Sequence, residues 1–396
     1  MITLMTKMAL LRILLLVMVG GLALGISLST AAKPAAPQTI TPASFVPETM
    51  TPTCMLYIPI VESTPAPPIR AVGVSYASVA RSRAETPQLR AYMVEAGVTM
   101  VGITAGRPDW TYFKWETYPE NWSSAVRTTD IDFLAEDSVH FDFGHVNAIV
   151  DIYAPNYIAA HPEAAAIGFW GEPSPLLVST AALTSGPFHD LVLEMLEYLA
   201  THYPVDSISI TELAYRIYGY GPDDLALYRA YTGRDDWPRD RNGAILVDHP
   251  SIGDWRSAAL AGFLEEAAAR IHPHGVELFF DVSVSWGNLA NEGREYGHHY
   301  ATVLQVVDRI IVWGYTDLAG YPPTYAGEIA AYLAEHYRPD QVIVSVGLWG
   351  QNRETMTPAT MAEAVTSVMG TRNPHTWVTP SSLMTAEHWE ALTEAW

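Results

Sequence analysis

From residue 69 onward the chain alternates short runs rich in β-branched and aromatic residues with longer stretches whose apolar positions recur at helical spacing. The first pattern suits a buried strand and the second an amphipathic helix. Eight strand-like runs are legible, at 71–76, 99–103, 145–153, 206–211, 276–284, 309–315, 341–349 and 376–380. Helical periodicity occupies Phe188–Tyr203, Trp255–Ile271, Glu328–Tyr337, Pro358–Met369 and Ala386–Ala395. Such alternation builds βαβ units and a parallel sheet covered by helices. Eight units predict an α/β fold, a (β/α)8 TIM barrel over residues 69–396, because open doubly wound sheets more often stop near six strands.

The preceding residues follow other rules. Lys7 and Arg12 lead into an uncharged run from Ile13 to Leu28, followed by small residues up to Ala32. A basic start, a short apolar stretch and a small-residue region are the parts of a signal peptide. The run has 16 residues, short of the roughly 20 of a spanning helix, although an uncleaved membrane anchor over residues 1–32 is the alternative. Residues 33–68 carry nine prolines among threonines, a composition that gives an extended Pro/Thr-rich linker. The expected order is signal or anchor, linker, barrel, with the barrel extracellular or held at the cell envelope.

Composition narrows the partners. The 396 residues are 49% hydrophobic and only 16% charged, enough for a large core. Acidic residues outnumber basic ones 43 to 22, for a net charge of −21. That field repels nucleic acid and anionic lipid, so neither is expected as a partner, and the membrane is reached only through an uncleaved N-terminus. Neutral or cationic polymers remain open. The single cysteine, Cys54, lies in the linker and leaves the barrel without a disulfide or a thiolate site. Twelve tryptophans and 21 tyrosines supply core anchors or the flat rings of a carbohydrate groove.

In a (β/α)8 barrel the active site forms where strands end, so position sorts the candidates. The fourth run ends in SISITEL, placing Glu212 at the mouth, with Tyr215 and Arg216 following. Glu212 is a candidate acid/base; pairing with an arginine such as Arg216 to pin the loop is the alternative. Parity carries a warning, since Glu212 alternates with Ile208 and Ile210 and needs a bulge or turn to reach the mouth. In VELFFDVSV, Phe280, Val282 and Val284 suit the helix layer, which leaves Asp281 inside, either as catalytic partner or as a structural anchor. Asp151, ending the third run, and Asp317, beyond the sixth, are further carboxylates, with loop capping as the alternative for Asp151. Tyr215, Trp286, Trp313, Tyr315 and Trp349 are candidate sugar-binding rings at strand ends, with Arg216 a further candidate substrate contact. The segment GRPDWTYFKWETYPENW is expected to form a cleft wall, a self-packed lid being the other reading. His272 and His274 precede a strand, on the wrong face, and His298 and His299 lack a matching carboxylate-histidine spacing, so no catalytic metal and no cofactor are expected.

From Phe143 to Gly350 the order NAIVDIYAPNYIAAHPE, YPVDSISITEL, HPSIGDWR, FFDVSVSWGN and VDRIIVWGY resembles the hypothetical glycosyl hydrolases related to family 10 glycosidases and the amylase superfamily. VIVSVGLWGQ following VWGYTDLAG is similar, more weakly, to the chitinase-like barrels. The resemblance implies a barrel acting on sugars. It does not carry over catalytic residues: where the first group has paired aspartates this chain has Thr211 and Glu212, and Ser207, Ser209 and Thr211 keep none of the spaced acids of the second. The leading expectation is an exported glycosidase cleaving a neutral or amino-sugar polysaccharide or oligosaccharide, with Glu212 as acid/base and Asp281 first, then Asp151 or Asp317, as second carboxylate. Its rivals are a non-catalytic carbohydrate-binding or cell-envelope barrel and a structural surface protein with a closed cleft.

Overall fold

The computed structural model describes residues 67–74, 86–142 and 144–396. The expected signal or anchor, nearly all of the linker and Cys54 lie outside the described residues. Eight strands form in the order read from the sequence: β1 Arg70–Val74, β2 Met100–Arg107, β3 His145–Asp151, β4 Ser207–Thr211, β5 Glu277–Val282, β6 Arg309–Trp313, β7 Val342–Gly347 and β8 Thr376–Thr379. Each is parallel to its neighbour, and β1 pairs with both β2 and β8, so the sheet closes on itself. This is a (β/α)8 TIM barrel.

Alternation along each strand divides the core in two. Ile208 and Ile210 of β4, Leu278, Phe280 and Val282 of β5, and Ile310 and Val312 of β6 face the helix layer in one large buried cluster. Met100, Phe279, Ile311, Ile343 and Trp377 form a second cluster, inside the barrel. Trp377 fills much of that interior. A Cβ on Gly102 would stand 2.2 Å from its ring, so the bare backbone of β2 is what admits the indole. Polar residues inside are paired with each other: Asn147 donates to Ser207 Oγ at 2.7 Å, and Ser209 donates to Asn147 Oδ1 at 2.8 Å. Those bonds offset the cost of burying them.

The helices start where proline permits. Pro187–His202, Pro222–Thr232, Pro250–Ile271 and Pro358–Met369 each place proline in the first turn, where its missing N–H costs nothing. The connection from β3 to Pro187–His202 is more elaborate than the sequence suggests. It contains an antiparallel hairpin of Ala165–Ile167 with Pro173–Val178. The β5 to β6 connection has single-turn helices and the short Tyr300–Val303 in place of a long helix. These two connections flank the mouth where β4 and β5 end.

Candidate active site

Glu212 is the residue after β4, and its backbone lies in the left-handed region at φ 67°. A non-glycine residue there is strained by about 1–2 kcal/mol. The turn breaks strand alternation after Thr211. Glu212 therefore leaves the helix side, where Ile208 and Ile210 point, and reaches the mouth, in contact with groups from other strands. Tyr153, two residues beyond β3, hydrogen-bonds its carboxylate. Burial pushes the Glu212 carboxyl up from its ordinary value, and the Tyr153 bond partly offsets this.

Asp281 projects inside the barrel from β5. Trp313 donates its indole N–H to Asp281 Oδ2 at 3.1 Å, and Thr211 adds a side-chain hydrogen bond. Oδ1 is buried without a partner among the described residues. Burial raises this carboxyl to about 7, with the Trp313 and Thr211 bonds opposing and the Glu212 charge adding to the rise. The two acids thus sense each other.

Three rings continue the wall. Trp313 stacks on Tyr315 with centroids 5.9 Å apart, and Tyr315 meets Trp349 at 5.2 Å. Tyr315 is close enough to both acids for their charges to raise its hydroxyl well above the ordinary value, after burial as the larger cause. Its ring lies over β7 at Gly347, where a Cβ would come within 2.4 Å of it. Trp313, Tyr315 and Trp349 are all partly exposed, as binding rings must be.

Buried His298 fastens the ends of β4 and β5 together. Its Nδ1 accepts from the Ser283 N–H at 2.8 Å, so Nε2 carries the proton and donates to the Leu213 carbonyl at 3.0 Å. Burial lowers its pKa to about 4, so the ring stays neutral and the clamp holds at working pH. The other pairs do different work. His272 meets Asp308 at 2.9 Å at the opposite end of the strands, and His299 lies 3.4 Å from Glu292. Among the described residues no group of three or more His, Cys, Asp and Glu is placed to hold a metal ion.

Other candidates are placed differently. Asp151 lies opposite Thr211 in the β3–β4 register and accepts the Tyr153 N–H at 2.8 Å. It caps the turn that presents Tyr153. Asp317 sits against the β7 loop, with an oxygen 2.5 Å from where a Gly350 Cβ would stand. Arg216 does not pin Glu212, since its guanidinium makes two bonds to Asp248, at 3.0 and 2.9 Å. Tyr215 is a correction: it is fully enclosed rather than presented to ligand, with its hydroxyl near Asp224 and Arg256 instead of Glu212. The short turn after Glu212 carries it back into the core. Trp286, on the loop after β5, packs against Tyr321 and against Tyr325 at the start of the helix Tyr325–His336, at 5.0 and 5.8 Å. The tryptophan-rich segment is a second correction. Trp115 and Phe113 are fully buried, Phe113 packs on Tyr198 and Tyr203, and Trp122 donates to the Trp115 carbonyl at 2.9 Å, so the segment packs on itself and against the helix Pro187–His202. Tyr153 escaped the sequence reading, yet it continues the inward parity of Asn147, Ile149 and Asp151.

No family model matches the chain, and no curated protein matches it. Solved structures do share its fold. The glycoside hydrolase domain of PgaB (BpsB) from Bordetella bronchiseptica aligns with a TM-score of 0.65 at 14% identity, covering 83% of this chain and 99% of that one. The catalytic domain of β-amylase from Paenibacillus polymyxa gives 0.55 at 12% identity, over 82% and 96% of the two chains. The β-galactosidase of the psychrophilic Marinomonas ef1 gives 0.55 at 13% identity, over 82% and 58%. At these identities the likeness is one of fold: the chain is a (β/α)8 barrel of the architecture that glycoside hydrolases use. It does not single out the family-10-like group from other barrels of this kind.

Proposed function

We propose that the protein is an exported glycoside hydrolase that cleaves a neutral or amino-sugar polysaccharide by carboxylate acid/base catalysis. The observation that carries this reading is the pair Glu212 and Asp281. Two enclosed acids stand at the mouth of one barrel, electrically coupled, both raised by burial, with an aromatic wall beside them. Glycoside hydrolysis requires two carboxyl groups flanking the scissile bond, one protonated and one ionised. Burial that raises both carboxyls favours keeping one of them protonated.

Glu212 is assigned as proton donor to the glycosidic oxygen. Asp281 is assigned as nucleophile or stabiliser of the oxocarbenium-like sugar, with Trp313 and Thr211 orienting it. Trp313, Tyr315 and Trp349 offer faces for pyranose C–H groups, and the Tyr315 hydroxyl offers a polar contact. Export is supported by the basic, apolar and small-residue order of residues 1–32. The net negative charge favours uncharged or cationic glycans over anionic ones.

The test is a panel of neutral, N-acetylated and free-amine polysaccharides incubated with the purified protein and with its Glu212→Gln variant. Release of reducing ends by the parent and not by the variant is the expected result. Binding without release by either protein would make this a carbohydrate-binding barrel, and neither binding nor release would remove the sugar assignment.

A further inference from the structure

We infer that Trp170, at the tip of the hairpin between β3 and the helix Pro187–His202, forms a remote sugar-stacking subsite, so that the cleft takes a polymer rather than a short oligosaccharide. This rests on the reading of the mouth as a glycan site. Trp170 and Phe169 are among the most exposed large apolar residues of the described chain, at 47% and 44%. The exposure is held in place. Gly171 adopts φ 96°, and the Gly171 N–H donates to the Gly168 carbonyl at 2.8 Å, closing the turn around the two rings. The Phe169 N–H is bonded to the Ile217 carbonyl at 3.1 Å, which ties the tip to the loop after β4.

One face of the indole is also fixed against the backbone. A Cβ built on Gly168 would stand 2.9, 3.0 and 3.2 Å from three atoms of the fused ring. A point that close to all three lies above the ring plane, so the Gly168 backbone covers one face. Its ring contacts are close to perpendicular: Phe169 at 4.9 Å and 83°, and Tyr218 at 5.5 Å and 61°. Almost half of the residue is open to solvent. A flat, half-exposed indole fixed by its turn is what the C–H face of a pyranose stacks on.

Continuity with the site determines the occupant. Tyr218, almost fully buried, touches Trp170. Ile217, whose carbonyl holds the Phe169 N–H, lies five residues after Glu212 in the same loop. Trp170 is therefore tied to the loop that begins at the proton donor. A glycan whose scissile bond lies at Glu212 has further sugars to place, and this loop runs from Glu212 to Trp170. A two-sugar ligand at the carboxylates does not extend that far.

The test uses the full chain and two ligand lengths. Chitohexaose, cellohexaose and a glucosamine hexamer, each with its dimer, are titrated calorimetrically into the Glu212→Gln protein, with and without Trp170→Ala. The expected result is hexamer binding weakened about tenfold by Trp170→Ala with dimer binding unchanged, the size of effect one aromatic contact supplies. Trp170→Phe, which keeps a ring, is expected to fall between the two. Equal hexamer affinity with and without Trp170→Ala, equal losses for hexamer and dimer, or a parent that binds none of the glycans would overturn the proposal. So would a change of oligomeric state in Trp170→Ala with no change in glycan affinity, which would make the tip a protein contact. Reducing-end release by the otherwise unmodified chain is measured in parallel. Hexamer binding that depends on Trp170 without hydrolysis would defeat the hydrolase reading and keep the subsite, and hydrolysis with binding indifferent to Trp170 would do the reverse.

Discussion

Tyr153 and Glu212 sit just beyond neighbouring strand ends, and the phenol hydroxyl bonds the carboxylate that burial is pushing towards protonation. A donor to the charged form lowers a carboxyl pKa. Tyr153→Phe is therefore expected to let the Glu212 pKa climb further. If Glu212 must be protonated to act, the alkaline limb of the kcat profile moves to higher pH. A profile that does not move would separate Tyr153 from the proton donor.

Glu212→Gln keeps the shape of the site and removes the proton. A loss on the order of 10²–10⁴ in kcat is expected, with glycan affinity retained. Asp281→Asn is expected to be at least as damaging, because amide nitrogen cannot replace an ionised carboxylate. Activity that survives the first change and vanishes in the second would move proton donation to β5.

The left-handed backbone at Glu212 carries a cost that glycine would not bear. Glu212→Gly is expected to abolish activity while stabilising the fold by about 1 kcal/mol, because it relieves the backbone strain and removes a desolvated carboxyl. Chemical denaturation of the two proteins checks this. Destabilisation by the glycine would mean that the turn is held by the side chain itself.

Asp281 links stability to pH with a definite sign. Its pKa is about 7 in the folded chain against an ordinary 3.8. Between those values the folded state holds more protons than the unfolded one, so this group's contribution falls as pH rises through the window. Asp281→Asn is expected to flatten the decline between pH 4 and 7, by an amount on the order of 3 kcal/mol at neutral pH. Parallel curves for the two proteins would show that the carboxyl is ionised at ordinary pH.

Tyr215 offers a control of opposite character. Its hydroxyl is buried without a partner among the described residues, and an unsatisfied buried hydroxyl costs about 1–3 kcal/mol. Tyr215→Phe is expected to leave glycan binding unchanged and to raise stability by about 1 kcal/mol. Weaker binding in this variant would restore Tyr215 to the ligand.

The alternation of strand-like runs with helical stretches made the barrel legible, and strand parity told inside from outside where the inward residues are polar, as Asp281 is between Phe280 and Val282. The same reasoning located Asp281, Trp313 and Tyr315 and gave warning about Glu212, whose parity is wrong until the φ of 67° is known. Loops resisted. Tyr215 and the tryptophan-rich segment look like binding surface by composition, and only tertiary packing shows that they turn inward. The hairpin at 165–178 was hidden because its strands are short and divided by glycine and proline. Trp170 passed unnoticed with it.

Gly347 and Tyr315 bear on how this barrel varies among its descendants. A methyl on Gly347 would occupy the space of the Tyr315 ring, with 2.4 Å between them. Neither position is free to drift alone: a side chain acquired at 347 must follow the loss of the ring at 315, and with it the stack joining Trp313 to Trp349. Lineages that keep the glycine keep the option of a tyrosine facing both acids. In those that fill it, the two substitutions should appear together, and the aromatic wall should be remodelled as a block.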